Sequence, residues 1–303
     1  MLILHVVSVF LVLTIATCED YETKAVEYLA KYGYLKGTEA GGSDYLGSAI
    51  KKFQTFNGLS PTGKLDSKTI KLMNAPRCGL PDMASEFSQQ PSSFVRLGRP
   101  WGKKKITYRI VEYPRHQRLT KRVIDLEIKK AFSMWEEVAD IKFVKSPSAS
   151  ADIEIKWGKY SHGAPFFTGH RPFDGQWGTL AHAWAPRYST SQTPGAGYLG
   201  DVHMDDSETW SVTPNKGAQL LWTLAHEFGH SIGLDHTPVP GAIMTAGWHG
   251  WKTNLRLSND DKRGAQTLYG LPQRGRPSPT NKPDRPTTRK PSGRPNPSGG
   301  YSM

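Results

Sequence analysis

Apolar residues recur with a period near 3.6 through residues 220–232. Leu220, Leu221, Leu224, Ala225, Phe228 and Ile232 form one stripe, which predicts a helix with a single buried face. The same spacing in Ile124, Ile128, Ala131, Trp135 and Val138 predicts a long amphipathic helix over 120–139. Residues 105–111 (Lys-Ile-Thr-Tyr-Arg-Ile-Val) alternate and read as a strand, with two more strands over 141–145 and 152–157. Strands with an intervening helix predict a mixed α+β domain built on a mostly parallel sheet. A last helix begins at Ser258, where Asp261 three residues on makes a capping box. Ala265, Leu268 and Tyr269 give its apolar face, Gly270 ends it, and Pro272 bars its resumption.

Ahead of this region the pattern is helical only. Ala25, Val26, Tyr28, Leu29 and Tyr32 predict one helix, and Tyr45, Leu46, Ile50 and Phe53 a second. Residues 58–63 form a turn, and Asp66 is placed to cap a third helix running through Met73. Residues 21–74 therefore read as a small helical domain without a catalytic cluster.

The helix over 220–232 carries the chemistry. Residues 226–236 read H-E-x-x-H-x-x-G-x-x-H. Residues four apart stack on one helix face, so His226 and His230 aim at one point. Glu227 lies about 100° further round. Gly233 can take positive φ and break the helix, which brings His236 in from another direction. Three neutral imidazoles leave a fourth tetrahedral position open, the arrangement of a catalytic zinc. Zinc lowers the pKa of bound water to about 7 and polarises a substrate carbonyl. Glu227 is placed to take the proton from that water and pass it to a leaving amine. Met244, in Ala-Ile-Met-Thr, follows His236 by eight residues and extends the pattern.

Bulk numbers narrow the setting. The chain of 303 residues has room for two modest domains. Its net charge of +12 raises the question of nucleic acid, but half of that charge sits in residues 271–303, with seven Lys or Arg against one Asp. That placement argues against nucleic acid and favours contact with acidic glycans or a solvated tail. The same segment holds eight of the 22 prolines and reads as disordered or polyproline-like. Residues 1–18 are apolar with a small-residue exit and read as a cleaved signal peptide, too short to span a bilayer. No other stretch is apolar enough to be a membrane span.

Loss of residues 1–18 removes one of the two cysteines and leaves Cys78. It pairs between chains, or lies buried and inert, or serves as a metal ligand. It sits in Pro76-Arg77-Cys78-Gly79-Leu80-Pro81-Asp82, which prolines and glycine hold extended. Such a strand could lie across a zinc cleft with its thiolate on the vacant coordination site, and Arg77 could pair with an acidic neighbour to hold it there.

On residues 76–82, 226–236 and Met244 the chain resembles the matrix metalloproteinases, or matrixins, of the metzincin clan. The likeness runs from about residue 20 to 270 and is closest to the short forms without a hemopexin-like domain. It implies an α+β zinc endopeptidase that is secreted as a zymogen and cleaves extracellular matrix proteins by Glu227-assisted attack of zinc-bound water. The resemblance makes 76–82 a cysteine switch, with Cys78 on zinc in the latent form and Arg77 as its support. The implied division is a signal peptide over 1–18, a propeptide over 19–93, a catalytic domain over 94–270 and a basic tail over 271–303. No furin-like basic site precedes residue 94, so another protease or autolysis would activate the chain. Protein protease inhibitors are implied partners.

The resemblance also implies a structural zinc and calcium ions. His182 and His203 match the family's later zinc ligands, and His162 follows Trp157 at the family spacing. Position 164 is Ala where the family has Asp, which leaves the fourth ligand open; His170 could substitute. Asp174, Asp205 and Glu208, with a carbonyl from Gly175, resemble one calcium site, and Asp201 with the backbone of Asp152 and Gly197 a second. Hard cations favour such oxygen sets. An astacin-like or adamalysin-like protease would carry several disulfides, which this chain cannot form internally. A matrix-binding protein with a vestigial protease domain is disfavoured by the intact Glu227, His226, His230, His236 and Met244.

Overall fold

The computed structural model describes residues 21–35, 44–83, 94, 96–115, 118–163, 172–186 and 198–273. The signal-peptide stretch, the 93/94 cut, His170, Gly197 and the tail beyond residue 273 lie outside them. Among the described residues no helix is long and apolar enough to cross a membrane.

Three helices come first: α1 over 21–31, α2 Tyr45–Phe56 and α3 Ser67–Met73. Asp66 caps α3, its carboxylate accepting from the Thr69 N–H at 2.9 Å, as predicted. Leu29, Tyr32, Tyr34, Ile50, Phe53 and Phe56 form a small core between these helices. Tyr28 and Tyr34 meet the Phe53 ring edge-on at 5.5 and 5.4 Å. Residues 33–35 turn back under α1, with Tyr34 N–H donating to Leu29 O.

The second part is a six-stranded sheet in the order β1-β5-β6-β4-β2-β3. Its strands are β1 Arg77–Cys78, β2 Lys105–Glu112, β3 Lys142–Lys145, β4 Ile153–Gly158, β5 Thr179–Ala183 and β6 Val202–Asp205. Every pairing is parallel except β5 with β6. The mixed, mostly parallel sheet is therefore the one predicted, with strand ends moved by a residue. Two short strands, β7 Trp210–Ser211 and β8 Ala218–Gln219, pair separately. Their two-residue length leaves no alternation to read in sequence.

Helix α4 Lys121–Glu136 opens on Thr120, whose hydroxyl accepts from Val123 N–H. It ends three residues short of the predicted 139, where Glu137 caps it. Ile124, Ile128, Ala131 and Trp135 are buried at the spacing read from the sequence. Helix α5 Leu220–Ser231 packs on α4 through Phe228 stacked on Phe132, with centroids 3.7 Å apart, and through Trp135 Nε1 donating to Ala225 O at 2.9 Å. Helix α6 Asn259–Tyr269 closes the unit. Its capping box is present, with Ser258 and Asp261 bonding each other's backbone N–H.

The α4–α5 contact sets the height of α5 over the sheet. Trp135→Ala should lower stability by about 3–5 kcal/mol, the usual cost of emptying a large aromatic site. The check is the urea midpoint of the catalytically inactive full chain. A loss below about 1 kcal/mol would mean that this contact does not position α5.

Candidate metal centre

Helix α5 carries His226, Glu227 and His230, all fully buried. Gly233 takes φ 104° and turns the chain out of the helix. Leu234 N–H donates back to Gly229 O at 2.9 Å, and His236 returns toward the two earlier rings. Two rings are held at their outer nitrogens. His226 Nδ1 donates to Ile243 O and His230 Nδ1 to Leu234 O, both at 2.7 Å. His236 Nδ1 lies 2.8 Å from Asp82 Oδ1, an ion-pair contact that lacks the alignment of a hydrogen bond. A carbonyl can only accept, so Nδ1 of His226 and of His230 carries the proton and their Nε2 presents a lone pair, and a carboxylate beside His236 Nδ1 favours the same tautomer there.

Those lone pairs converge. His226 Nε2 is 3.0 Å from His230 Nε2 and 3.2 Å from His236 Nε2. Cys78 Sγ stands 3.6 Å from His230 Nε2. All four donor atoms lie within 4.8 Å of one another. A tetrahedral zinc with bonds of about 2.0–2.3 Å needs donor separations of roughly 3.3–3.7 Å, so the set fits that ion. Burial, then the neighbouring His236, holds the His226 ring down at about 3, so it is neutral at ordinary pH, the form in which imidazole can bind a metal. Burial and then the Glu227 charge push the Cys78 thiol well up, so it ionises there only against a cation.

Glu227 borders this set, and neither of its oxygens has a hydrogen bond of good geometry. Burial pushes its carboxyl up to about 8. It is the carboxyl group that base chemistry at this point would need, in the ionised form that a cation beside it favours. Met244 lies beneath the helix. A Cβ on Gly229 would fall 2.2 Å from Met244 Sδ, so only glycine admits the methionine. The turn carrying Met244 is clamped by Asp261, which accepts from Ile243 N–H at 2.9 Å and Met244 N–H at 3.2 Å. Asp261 thereby fixes the carbonyl that orients His226.

Residues 76–79 run along the sheet edge. Arg77 N–H donates to Gly178 O and Gly79 N–H to Ala181 O, at 3.0 and 2.8 Å. On the other side Cys78 N–H donates to Ala246 O, and Trp248 N–H to Pro76 O. Arg77 is buried. It bonds Asp82 Oδ2 at 3.0 Å, Tyr28 OH at 2.8 Å and the carbonyls of Cys78 and Leu80, and it lies 3.5 Å from the Tyr32 ring centroid. Burial pushes Asp82 up, but Arg77 and His236 outweigh it and hold its carboxyl well below the usual range. Sequence reasoning found Arg77 and expected an acidic partner. It missed the contact of Asp82 with His236, the clamp at Asp261 and the role of Gly229.

A second cluster joins His162, His182 and His203. His182 and His203 face each other across the β5–β6 pairing. His162 Nε2 is 3.1 Å from His182 Nε2, which is 3.3 Å from His203 Nδ1. Phe173 stacks on His162 at 4.2 Å. These three donors fit a zinc in the same sense, and the fourth position is not filled among the described residues.

The acidic residues are brought less close. Among the described residues only the two histidine clusters gather donors within 4.8 Å. Asp174 accepts from Thr179 N–H at 2.7 Å and Glu208 from Trp177 N–H at 2.6 Å, and Gly175 takes φ 94° between them in sequence and turn. Asp205 Oδ2 is buried without a hydrogen bond. Burial, then the charges of neighbouring acids, push both up: Asp205, near Asp174 and Asp206, to about 6, and Glu208, near Asp205 and Asp174, to about 7. Lys31 of α1 pairs with Asp174 at 3.3 Å. In the other set Asp201 accepts from Glu154 N–H and is pushed up by burial to about 7. The Asp152 carboxylate is engaged by Thr107 and Lys103.

Comparison with known proteins agrees with this geometry. Residues 100–270 match the family described as matrixin, and residues 23–73 match a putative peptidoglycan binding domain. The chain is 38% identical over 248 residues to matrilysin of Homo sapiens, covering 82% of this chain and 85% of that protein. It is 39% identical over 246 residues to macrophage metalloelastase of Oryctolagus cuniculus, covering 80% of this chain but 47% of that protein. It is 38% identical over 264 residues to stromelysin-2 of Rattus norvegicus, covering 84% of this chain and 51% of that protein.

The acid cluster yields a pH test. Asp205 and Glu208 have folded pKa values raised to about 6 and about 7, above their unfolded values near ~4. The folded chain therefore holds protons that the unfolded chain has lost, and stability falls as pH rises from about 4 through 7. Calcium held by these carboxylates would take the place of those protons. At about a hundred times its Kd it should raise Tm by roughly 5–10 °C at pH 8 and far less at pH 5. Thermal scans with calcium and with chelator check this, and an equal gain at both pH values would contradict it.

Proposed function

Because the chain belongs to the matrixin family of zinc metalloendopeptidases, we propose that it is a secreted zymogen that cuts extracellular matrix proteins and is kept latent by its own Cys78. One observation carries the reading: three buried imidazole Nε2 atoms converge, with a thiol at the fourth corner and a carboxyl group alongside whose oxygens have no hydrogen bond. Residues 19–93 act as the propeptide, with 76–82 as its switch, 94–270 as the catalytic unit, and 271–303 as a basic segment able to hold acidic glycans. Residues 1–18 direct secretion.

Zinc, when bound, makes water acidic near neutral pH and polarises a peptide carbonyl. His226, His230 and His236 would hold the ion, and the outer partners of their Nδ1 atoms keep the Nε2 lone pairs aimed at one point. Glu227 takes the proton from the attacking water and hands it to the leaving nitrogen, with no covalent enzyme intermediate. In the latent chain Cys78 fills the position that water and carbonyl need. Departure of residues 76–79 frees the carbonyls of Gly178, Ala181 and Ala246 and the N–H of Trp248. An extended substrate chain can then add as a strand in the same slot.

His162, His182 and His203 hold a second zinc that pins the loop after β4 to β5 and β6. Asp174, Gly175, Asp205 and Glu208 hold calcium beside them, and Asp201 with the backbone of residues 152 and 197 a further calcium. These sites shape the substrate edge and do not touch the reacting bond.

Glu227→Ala should cut peptide hydrolysis by about 10²–10⁴-fold while zinc stays bound. Turnover of a fluorogenic peptide and metal content per chain decide this, and near-full activity would remove Glu227 from the mechanism. Cys78→Ser should let the uncut chain hydrolyse the same peptide where the wild-type zymogen does not. An equally silent variant would show that the thiol is not the block.

A further inference from the structure

The three imidazoles differ in what holds them from behind. The acceptors for His226 and His230 are the carbonyls of Ile243 and Leu234, which belong to the same catalytic segment as the rings. The group facing His236 is the Asp82 carboxylate, at the end of the switch peptide, with Oδ1 2.8 Å from Nδ1 in an ion-pair contact that is not aligned as a hydrogen bond. Asp82 is fully buried. Its Oδ2 accepts from Tyr34 OH at 2.6 Å and from Arg77 at 3.0 Å, and its own N–H bonds Tyr32 O. Those partners, Tyr32, Tyr34 and Arg77, all come from the N-terminal part, so that part alone aims the carboxylate.

We propose that Asp82 is a positioning residue for the metal centre: the propeptide supplies the carboxylate that orients the third histidine, in addition to the thiolate. The proposal rests on reading His226, His230, His236 and Cys78 as zinc ligands. A carboxylate this close to Nδ1 holds the proton there and makes Nε2 a stronger donor. Removing such an outer partner typically weakens metal binding by about 10- to 100-fold. Cleavage of the propeptide therefore takes away two supports at once. His226 and His230 keep their carbonyls, while His236 loses its anion. The latent chain grips zinc more tightly than the thiolate bond alone explains, and the activated enzyme has one ligand that yields first.

A role confined to pairing with Arg77 would stabilise the switch peptide but leave the metal grip to Cys78. The two ideas separate in full-length zymogen carrying Glu227→Ala to prevent self-cleavage. Zinc content is measured first: a chain with no zinc at these rings refutes the reading of the centre itself, apart from Asp82. In zinc-loaded protein with labelled histidines, the His236 Nδ1–H resonance should lie furthest downfield. It should move on propeptide removal, with those of His226 and His230 nearly still. This arm needs no change at Asp82, so it stands even where a variant misfolds. A His236 resonance that moves no more than the other two overturns the proposal.

The second arm uses the Cys78→Ser background, where the thiolate is already gone. Adding Asp82→Asn should speed zinc release to a chelator by about 10- to 100-fold. Adding Tyr34→Phe, which removes one bond to Asp82 but leaves it on His236, should leave the rate close to that of the parent. Equal release with and without Asp82→Asn, or acceleration of the same size by Tyr34→Phe, overturns the proposal.

Discussion

Three nitrogen lone pairs aimed at one another from about 3 Å are the constraint on which the rest of the structure depends. They repel, they are shut away from water, and only a cation between them relieves both costs. The protein enforces this arrangement from several directions. The α-helical spacing of His226 and His230 sets two rings, Gly233 turns the third back, carbonyls lock two of the Nδ1 atoms and a carboxylate stands beside the third. The packing below serves the same end. Phe228 on Phe132 and Trp135 on Ala225 O fix α5, and Asp261 fixes the turn that offers Ile243 O. The second histidine cluster obeys the same logic more loosely. His182 and His203 are set by opposite strands, but His162 comes from a loop and is only half-buried.

Much of this was legible in the residues because it repeats at a fixed spacing. The α5 stripe, the α4 face, the alternation in β2 and β4 and the capping box at Ser258 all carry a local period or a residue-type signal. The convergence of His226, His230 and His236 was legible for the same reason. What escaped has no such signal. Backbone carbonyls of Ile243 and Leu234 could come from any residue type. The place of Gly229 follows from a methionine that reaches it only through the fold. Asp261 was readable as a cap, yet its other work, on Ile243 and Met244 N–H, depends on how α6 docks. The pairing of Asp82 with His236 joins residues far apart in the chain, and nothing local to either one announces it.

The energetics of the switch peptide follow from how it is held. Its four main-chain hydrogen bonds to β5 and to residues 246–248 contribute about 0.5–1.5 kcal/mol each after loss of water. The buried Arg77–Asp82 pair adds little net affinity, since desolvation of two charges roughly cancels their attraction. It acts instead on register. A slip of one residue along β5 would turn Cys78 away from the rings and strand both charges, at a cost of about 3–5 kcal/mol for one unpaired partner. Arg77 is further pinned by the Tyr32 ring and by the carbonyls of Cys78 and Leu80, so the charge that specifies the register sits one residue from the thiol it places. A plug held by broad apolar burial would stay after cleavage of the chain. One held by register and a few hydrogen bonds is firm while tethered and leaves once its effective concentration is lost. That is the balance the proposed latency would require.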